Sequence, residues 1–244
     1  MRLHVGTSGY SYAEWKGSFY PEKLPAKDML KFYADSFDTV EINNTFYRMP
    51  QPSLLAGWVA QVPETFTFVL KAPRRLSHGK AWSEDQAGFD MFTKTALTLE
   101  GRLGPVLFQL PPFAKKDTER LARLLSYVPR GVKLALEVRN PSWLDDEVFT
   151  LLGKHDAALC VSDDDAPKLK SSKELPDIAS WGYLRLRKTE YSDADLRTWL
   201  TQVGARSWKD AYVFFKHEES GSAPSFAKRF LDLWPSVRGS GHGP

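Results

Sequence analysis

Lys133-Leu134-Ala135-Leu136-Glu137-Val138-Arg139-Asn140, running into Pro141-Ser142-Trp143, carries the pattern from which the fold follows. Side chains alternate along a strand, so Leu134, Leu136 and Val138 share one face and Ala135, Glu137 and Arg139 share the other. The apolar face needs a covering helix. The opposite face begins with a small residue and turns charged only at its C-terminal end, where Asn140-Pro141 breaks the strand. A barrel strand leading from a packed interior into a site at the C-terminal mouth has this signature.

Seven more segments read as strands, near residues 3–7, 39–43, 67–73, 105–110, 158–163, 182–187 and 211–216. Helical patterns fill most gaps, as the crossovers between parallel strands require. They cover Asp28 to Phe37, Leu54 to Val62 behind a Ser53 cap, and Phe89 to Leu99. Asp117 is placed to cap Thr118 to Tyr127, and Asp145 opens a helix to about His155. Ser192 is placed to cap Asp193 to Val203, with Asp195 at the third helical position forming a weaker version of a capping box, and Pro224 starts a last helix through Trp234. Asp163 to Asp177 is polar, so the sixth unit is expected to be irregular. The rhythm predicts one (β/α)8 TIM barrel over residues 1–237 and a disordered tail over 238–244. The alternative is an open doubly wound sheet, disfavoured because no GxGxxG or P-loop motif accompanies a strand.

Composition agrees with one α/β domain. The chain has 244 residues, 42% of them hydrophobic and 26% charged. A net charge of +3 implies nucleic acid only if the charge is clustered. The single cysteine, Cys160, excludes an internal disulfide and reads as a small core residue. No apolar signal region opens the sequence and no apolar run has the length of a membrane span. A cytoplasmic protein with no membrane partner is therefore expected. The oligomeric state is left open.

Extended to the other strands, the parity argument turns Glu41, Asn43, Lys71, Gln109, Glu137, Arg139, Arg185 and Arg187 toward the barrel axis. Arg74 and Lys216 stand on adjacent loops. Cations outnumber carboxylates, and buried charge is costly unless paired or solvated. The surplus points to an anionic ligand, since guanidinium groups match carboxylate and phosphate as a bidentate fork. An internal ion-pair network that merely fills the barrel is the competing explanation. Tyr10 and Trp143 lie among the aromatic residues of the predicted loops, where rings stack on ligands or lid the core. His78, Glu137, Asp163 and His217 have metal-ligand chemistry, but no HExxH or CxxC spacing supports them, so neither a metal nor a cofactor is expected. Ser8 lacks a GxSxG elbow, which argues against a serine hydrolase.

Several stretches together resemble one known family. They are Val5-Gly6-Thr7-Ser8-Gly9-Tyr10, Thr39-Val40-Glu41-Ile42-Asn43-Asn44-Thr45-Phe46-Tyr47, Phe68-Val69-Leu70-Lys71-Ala72-Pro73-Arg74, Leu107-Phe108-Gln109-Leu110-Pro111-Pro112, Glu137-Val138-Arg139-Asn140 and Tyr183-Leu184-Arg185-Leu186. With Trp15-Lys16-Gly17 and Tyr212-Val213-Phe214-Phe215, they resemble the domain-of-unknown-function 72 family, also called YecE-like. The resemblance spans nearly the whole chain. It implies a TIM barrel and a site, but no reaction. Where the family pattern commonly has Arg-x-His-Gly, this chain has Arg185-Leu186-Arg187-Lys188; where it often has paired asparagines, Lys216-His217 stand. Both departures make this mouth more basic.

The sequence thus predicts a barrel that binds or turns over a small phosphorylated or otherwise anionic ligand. Glu137 is the candidate general acid or base, with Glu41 second, and Lys71, Arg139 and Arg185 fix the anion. Two alternatives stand beside it. One is a nucleic-acid binder or processor resembling the endonuclease IV barrel. The other is a glycoside hydrolase using Glu41 and Glu137.

Overall fold

Each apolar alternation becomes a strand, and all eight strands pair in parallel. The computed structural model describes residues 1–79, 82–163, 175–216 and 221–239. Its first half runs β1 (Arg2–Thr7), α1 (Met29–Ala34), β2 (Thr39–Ile42), α2 (Asn44–Tyr47), α3 (Pro52–Val59), β3 (Thr67–Lys71), α4 (Arg74–Ser77), α5 (Gln86–Ala96) and β4 (Leu103–Gln109). The second half runs α6 (Thr118–Ser126), β5 (Leu134–Glu137), α7 (Asp146–Lys154), β6 (Ala158–Ser162), β7 (Trp181–Leu186), α8 (Asp193–Gly204), β8 (Asp210–Phe215) and α9 (Ser222–Gly239).

Alternation along the strands separates two cores. Phe68, Leu70, Phe108, Leu136, Leu184 and Phe215 belong to the layer between sheet and helices. Val69, Leu107, Ala135, Cys160, Tyr183 and Phe214 belong to a separate cluster inside the barrel. In that inner cluster β5 and β6 supply the small side chains Ala135, Ala158 and Cys160, while β7 and β8 supply the large rings. Burying a large apolar side chain in either core contributes about 1.5–3 kcal/mol.

The strands follow the order β1-β8-β7-β6-β5-β4-β3-β2, so the barrel closes between β1 and β2. That seam has one bridge, Ser8 to Glu41, with the Gly9 amide donating to the Glu41 carbonyl at 2.8 Å. Below the bridge a side chain replaces the ladder. The Tyr33 hydroxyl, carried by α1, accepts from the Thr7 amide at 2.8 Å and donates to the Thr39 carbonyl at 3.1 Å. Gly6 makes room for this arrangement, because a Cβ there would lie 2.1 Å from the Thr39 carbonyl oxygen.

The caps at Asp117, Asp145 and Ser192 form, the last as a full capping box with Asp195. Each contributes about 1 kcal/mol. Ser53 does not cap: its helix starts at Pro52, whose missing N–H is harmless in a first turn, and Gln51 is the cap residue. The helix expected from Phe89 starts earlier, at Gln86, because Asp85 accepts from the Gly88 amide. The last helix passes through Pro235 and ends at Gly239, beyond the expected stop at Trp234. Residues 240–244, and most of the expected irregular unit at 164–174, lie outside the described residues. No described helix is long and apolar enough to cross a membrane.

Candidate functional site

Arg185 is the centre of the C-terminal mouth. It points inward from β7 and is 1% exposed. Its Nη2 donates to Glu41 Oε1 and its Nη1 donates to Glu137 Oε2, both at 2.7 Å. One guanidinium therefore ties β7 to β2 and to β5. Glu41 is satisfied on both oxygens, because Ser8 Oγ also donates to Oε1 at 2.7 Å and Tyr183 Oη donates to Oε2 at 2.6 Å. Burial raises the proton affinity of Glu41, but Arg185, Tyr183 and Ser8 outweigh it and hold the carboxyl below its ordinary range.

Glu137 is different. Its Oε1 is buried without a hydrogen bond. Arg139 Nε lies 3.6 Å from that oxygen and Arg187 Nη2 lies 3.9 Å away. Burial opposes ionisation, yet Arg185, Arg187, Lys71 and Arg139 lower its pKa to about 2. Glu137 is thus a carboxylate at neutral pH, an acceptor rather than a proton donor.

Lys71 ends β3 with its stem buried, and its ammonium lies 4.2 Å from the centroid of the Phe46 ring. A cation over an aromatic face gains about 0.5–2 kcal/mol. Among the described residues no carboxylate lies within ion-pairing distance of it. Burial and the nearby Arg185 charge lower its pKa to about 8, against the opposing pull of Glu137 and Glu41. Gln109 stands beside Glu137 in the strand register, buried, and its Nε2 has no hydrogen-bond partner. His78, just after α4, reports the local field. Its pKa falls to about 4 through burial and the charges of Lys71, Arg74 and Arg139.

Arg74 is exposed at the start of α4, and Arg139 is partly exposed above Glu137. Lys216 follows β8 with its amide on the Leu186 carbonyl at 2.9 Å. The Arg187 amide donates to Asp163 Oδ1 at 2.6 Å, and Tyr191 Oη donates to Oδ2 of the same carboxylate. Asn43 and Tyr10 do not join the charged cluster. They line a cavity of about 870 Å³ beside it, between the loop after β1 and the segment after β2, with Tyr12, Arg48 and the exposed Tyr47. Trp143 is not at a ligand surface. Its ring is fully buried against Trp82, and its Nε1 donates to the Ala114 carbonyl at 2.8 Å. His217 lies outside the described residues.

Three participants escape a charge-based reading. Tyr183 shares the inward parity of Arg185, the one signal that could have marked it. Ser8 matters as a donor to Glu41 rather than as a nucleophile. Phe46 offers a ring to Lys71 from α2. Among the described residues no group of three His, Cys, Asp or Glu side chains gathers to hold a metal.

A family model described as "Protein of unknown function DUF72" matches residues 4–240. The chain is 24% identical over 228 residues to the UPF0759 protein YunF of Bacillus subtilis, covering 89% of this chain and 79% of that one. It is 30% identical over 142 residues to the UPF0759 protein YecE of Escherichia coli, 58% of this chain and 50% of the relative. A crystal structure of a DUF72 family protein from Thermotoga maritima superposes with a TM-score of 0.81 at 27% identity, covering 96% of this chain and 100% of that one. One from Enterococcus faecalis, at 17% identity, shares the fold with a TM-score of 0.78, covering 96% of this chain and 95% of the other.

Proposed function

Because this chain belongs to the DUF72 family, whose name specifies no reaction, we propose from the geometry that its barrel mouth binds and turns over a small anionic ligand, phosphate-bearing in the first instance. The observation that carries the reading is how Arg185 is used. It consumes one oxygen of each buried glutamate, so Lys71, Arg74 and Arg139 meet with only the second oxygen of Glu137 near them, at 3.6 Å from Arg139. A positive cleft with low-dielectric walls concentrates anions. Arg139 and Arg74 would take the anion, and Lys71 and Gln109 would face the uncharged part of the ligand. Glu137 is the group poised to accept a proton, with Glu41 positioning Arg185 behind it.

Glycoside hydrolysis fits less well. It needs one of the two carboxyls protonated to donate to the leaving group, and both are held ionised by the same guanidinium. The test is titration with inorganic phosphate, glycerol phosphate and glycerol, read by thermal shift at low salt. Saturable stabilisation by the phosphates and none by glycerol is expected, lost in Arg139→Ala and weakened by salt. Equal behaviour of wild type and Arg139→Ala toward phosphate would overturn the assignment.

A further inference from the structure

Among the described residues Lys71 has no ion-pair partner to account for its burial. It is the sole lysine among the buried residues described. Lysines are rarely buried unless paired. A lysine placed to neutralise Glu41 or Glu137 would bond one of them; Arg185 does so instead, and the Lys71 ammonium has the face of Phe46. A purely electrostatic role is already covered by the guanidiniums of Arg139 and Arg74. Among the described residues two further groups near the ends of β4 and β5 make no hydrogen bond, the Gln109 amide donor and the Glu137 Oε1 acceptor, whose nearest cations, Arg139 and Arg187, stand 3.6 and 3.9 Å away. An amine, a donor and an acceptor thus share one mouth, each without a hydrogen bond among the described residues.

We propose that Lys71 is a nucleophilic amine that condenses with the carbonyl carbon of an aldehyde or ketone bearing an anionic group. The proposal rests on the anion site above for the charged end of that substrate and names its reacting end. The neutral Nζ attacks the carbonyl carbon, the C=O π pair moves to oxygen, and the nitrogen loses a proton as the oxygen gains one, giving a carbinolamine. The C–O bond then breaks, the oxygen leaves as water with a second proton taken from solvent, and a protonated imine remains. No oxidant or reductant is needed. Glu137 Oε1, a carboxylate oxygen without a hydrogen bond, would take the proton from nitrogen and pass it at once to the alkoxide oxygen, and the Gln109 amide would polarise the carbonyl oxygen. Desolvation beside another cation is an established way to activate a lysine. With its pKa near 8, about one-tenth of Lys71 is neutral at pH 7, several hundred times the share of an ordinary lysine at 10.5.

The experiment is reductive trapping on the full chain. The protein is incubated with glycolaldehyde phosphate or glycolaldehyde, quenched with borohydride, digested and mapped by mass spectrometry. Lys71 is expected to be the dominant adduct at pH 7, at least tenfold above any exposed lysine. Its labelling should rise with a midpoint near pH 8, exceed that by the neutral aldehyde tenfold, and vanish in Lys71→Arg. Wild-type site mapping gives the answer even if that variant folds poorly. Adducts confined to exposed lysines overturn the proposal. Phosphate titration of the same samples separates the two claims: phosphate binding without a Lys71 adduct refutes the imine alone, whereas equal labelling by both aldehydes without phosphate binding refutes the anion site alone.

Discussion

Replacing Arg185 by methionine tests the central electrostatic argument. The substitution keeps a long apolar stem and removes the charge that two buried carboxylates share. Glu41, wholly buried, keeps Ser8 and Tyr183 as donors. Glu137 keeps only Arg139 at 3.6 Å and Arg187 at 3.9 Å. Breaking a buried ion pair by removing one partner typically costs about 3–5 kcal/mol. For a domain of this size that is a fall in Tm of roughly 6–20 °C. The pH dependence gives a second, sharper reading. In the native protein Glu137 is held at about 2, below its ordinary 4.5. It therefore contributes stability that is fully present above 4.5 and is lost as pH falls through 2, about 3 kcal/mol in all. In Arg185→Met the sign reverses: buried carboxyls without their cation have raised folded-state pKa values, so protonation favours the folded state. The deficit against wild type should shrink between pH 7.5 and pH 5.5. Urea denaturation at both pH values measures this, with Glu41→Gln/Glu137→Gln/Arg185→Met expected to recover most of the loss. A deficit below about 1 kcal/mol, unchanged with pH and not rescued by the triple variant, would refute the reasoning.

Tyr33→Phe should lower stability by about 1–3 kcal/mol, because it strands the buried Thr7 amide and Thr39 carbonyl at the seam. Amide exchange should speed up at Thr7 ahead of the other strand residues, and uniform acceleration would argue against a local seam role. His78 should titrate near pH 4 by NMR, and its pKa should rise when phosphate binds or Arg139 is removed, since both relieve the positive field. A constant value under both perturbations would dissociate it from the anion site. Arg185→Lys should suppress borohydride trapping at Lys71: a point charge cannot fork to two carboxylates, so a released glutamate would pair Lys71 and raise its pKa. Unchanged trapping would show that Arg185 does not keep the amine unpaired.

The barrel was legible because its signal is local. A period of two, repeated eight times between helical stretches, needs no knowledge of long-range contacts, and it placed Lys71, Gln109, Glu137 and Arg185 on the inner face correctly. The partners of those residues were not legible. Arg185 meets Glu41 across 144 residues and Glu137 across 48, distances that closure of the barrel abolishes and that no spacing rule encodes. Sequence reasoning therefore gave Arg185 to the ligand, while the structure gives it to the two glutamates. Trp143 misled for a related reason. A loop tryptophan after a barrel strand looks available, but its indole N–H had a carbonyl waiting at Ala114, on the preceding crossover. Tyr33 was hidden more thoroughly, as one aromatic among several on an amphipathic helix, with nothing to show that its hydroxyl would stand in for ladder bonds.

The ion-pair network and the ligand site looked like competing explanations of the same charges, and the geometry makes them successive layers. The lower layer, Glu41 with both carboxylate oxygens bonded by Arg185, Tyr183 and Ser8, joins the first, second and seventh strands. A group so fully bonded contributes position, not reactivity. The layer above inherits the consequences. Glu137 has one oxygen anchored and one left over, Gln109 beside it has a donor left over, and Lys71 is deprived of both carboxylates. Had the lower layer used a lysine, each glutamate would have needed its own cation, and Lys71 would have been drawn into a salt bridge. The bidentate reach of a single arginine is what leaves an amine, an acceptor and a donor unspent at the same end of the barrel. Structural pairing in this protein does not compete with chemistry at the mouth; it creates the unsatisfied set from which chemistry would be made.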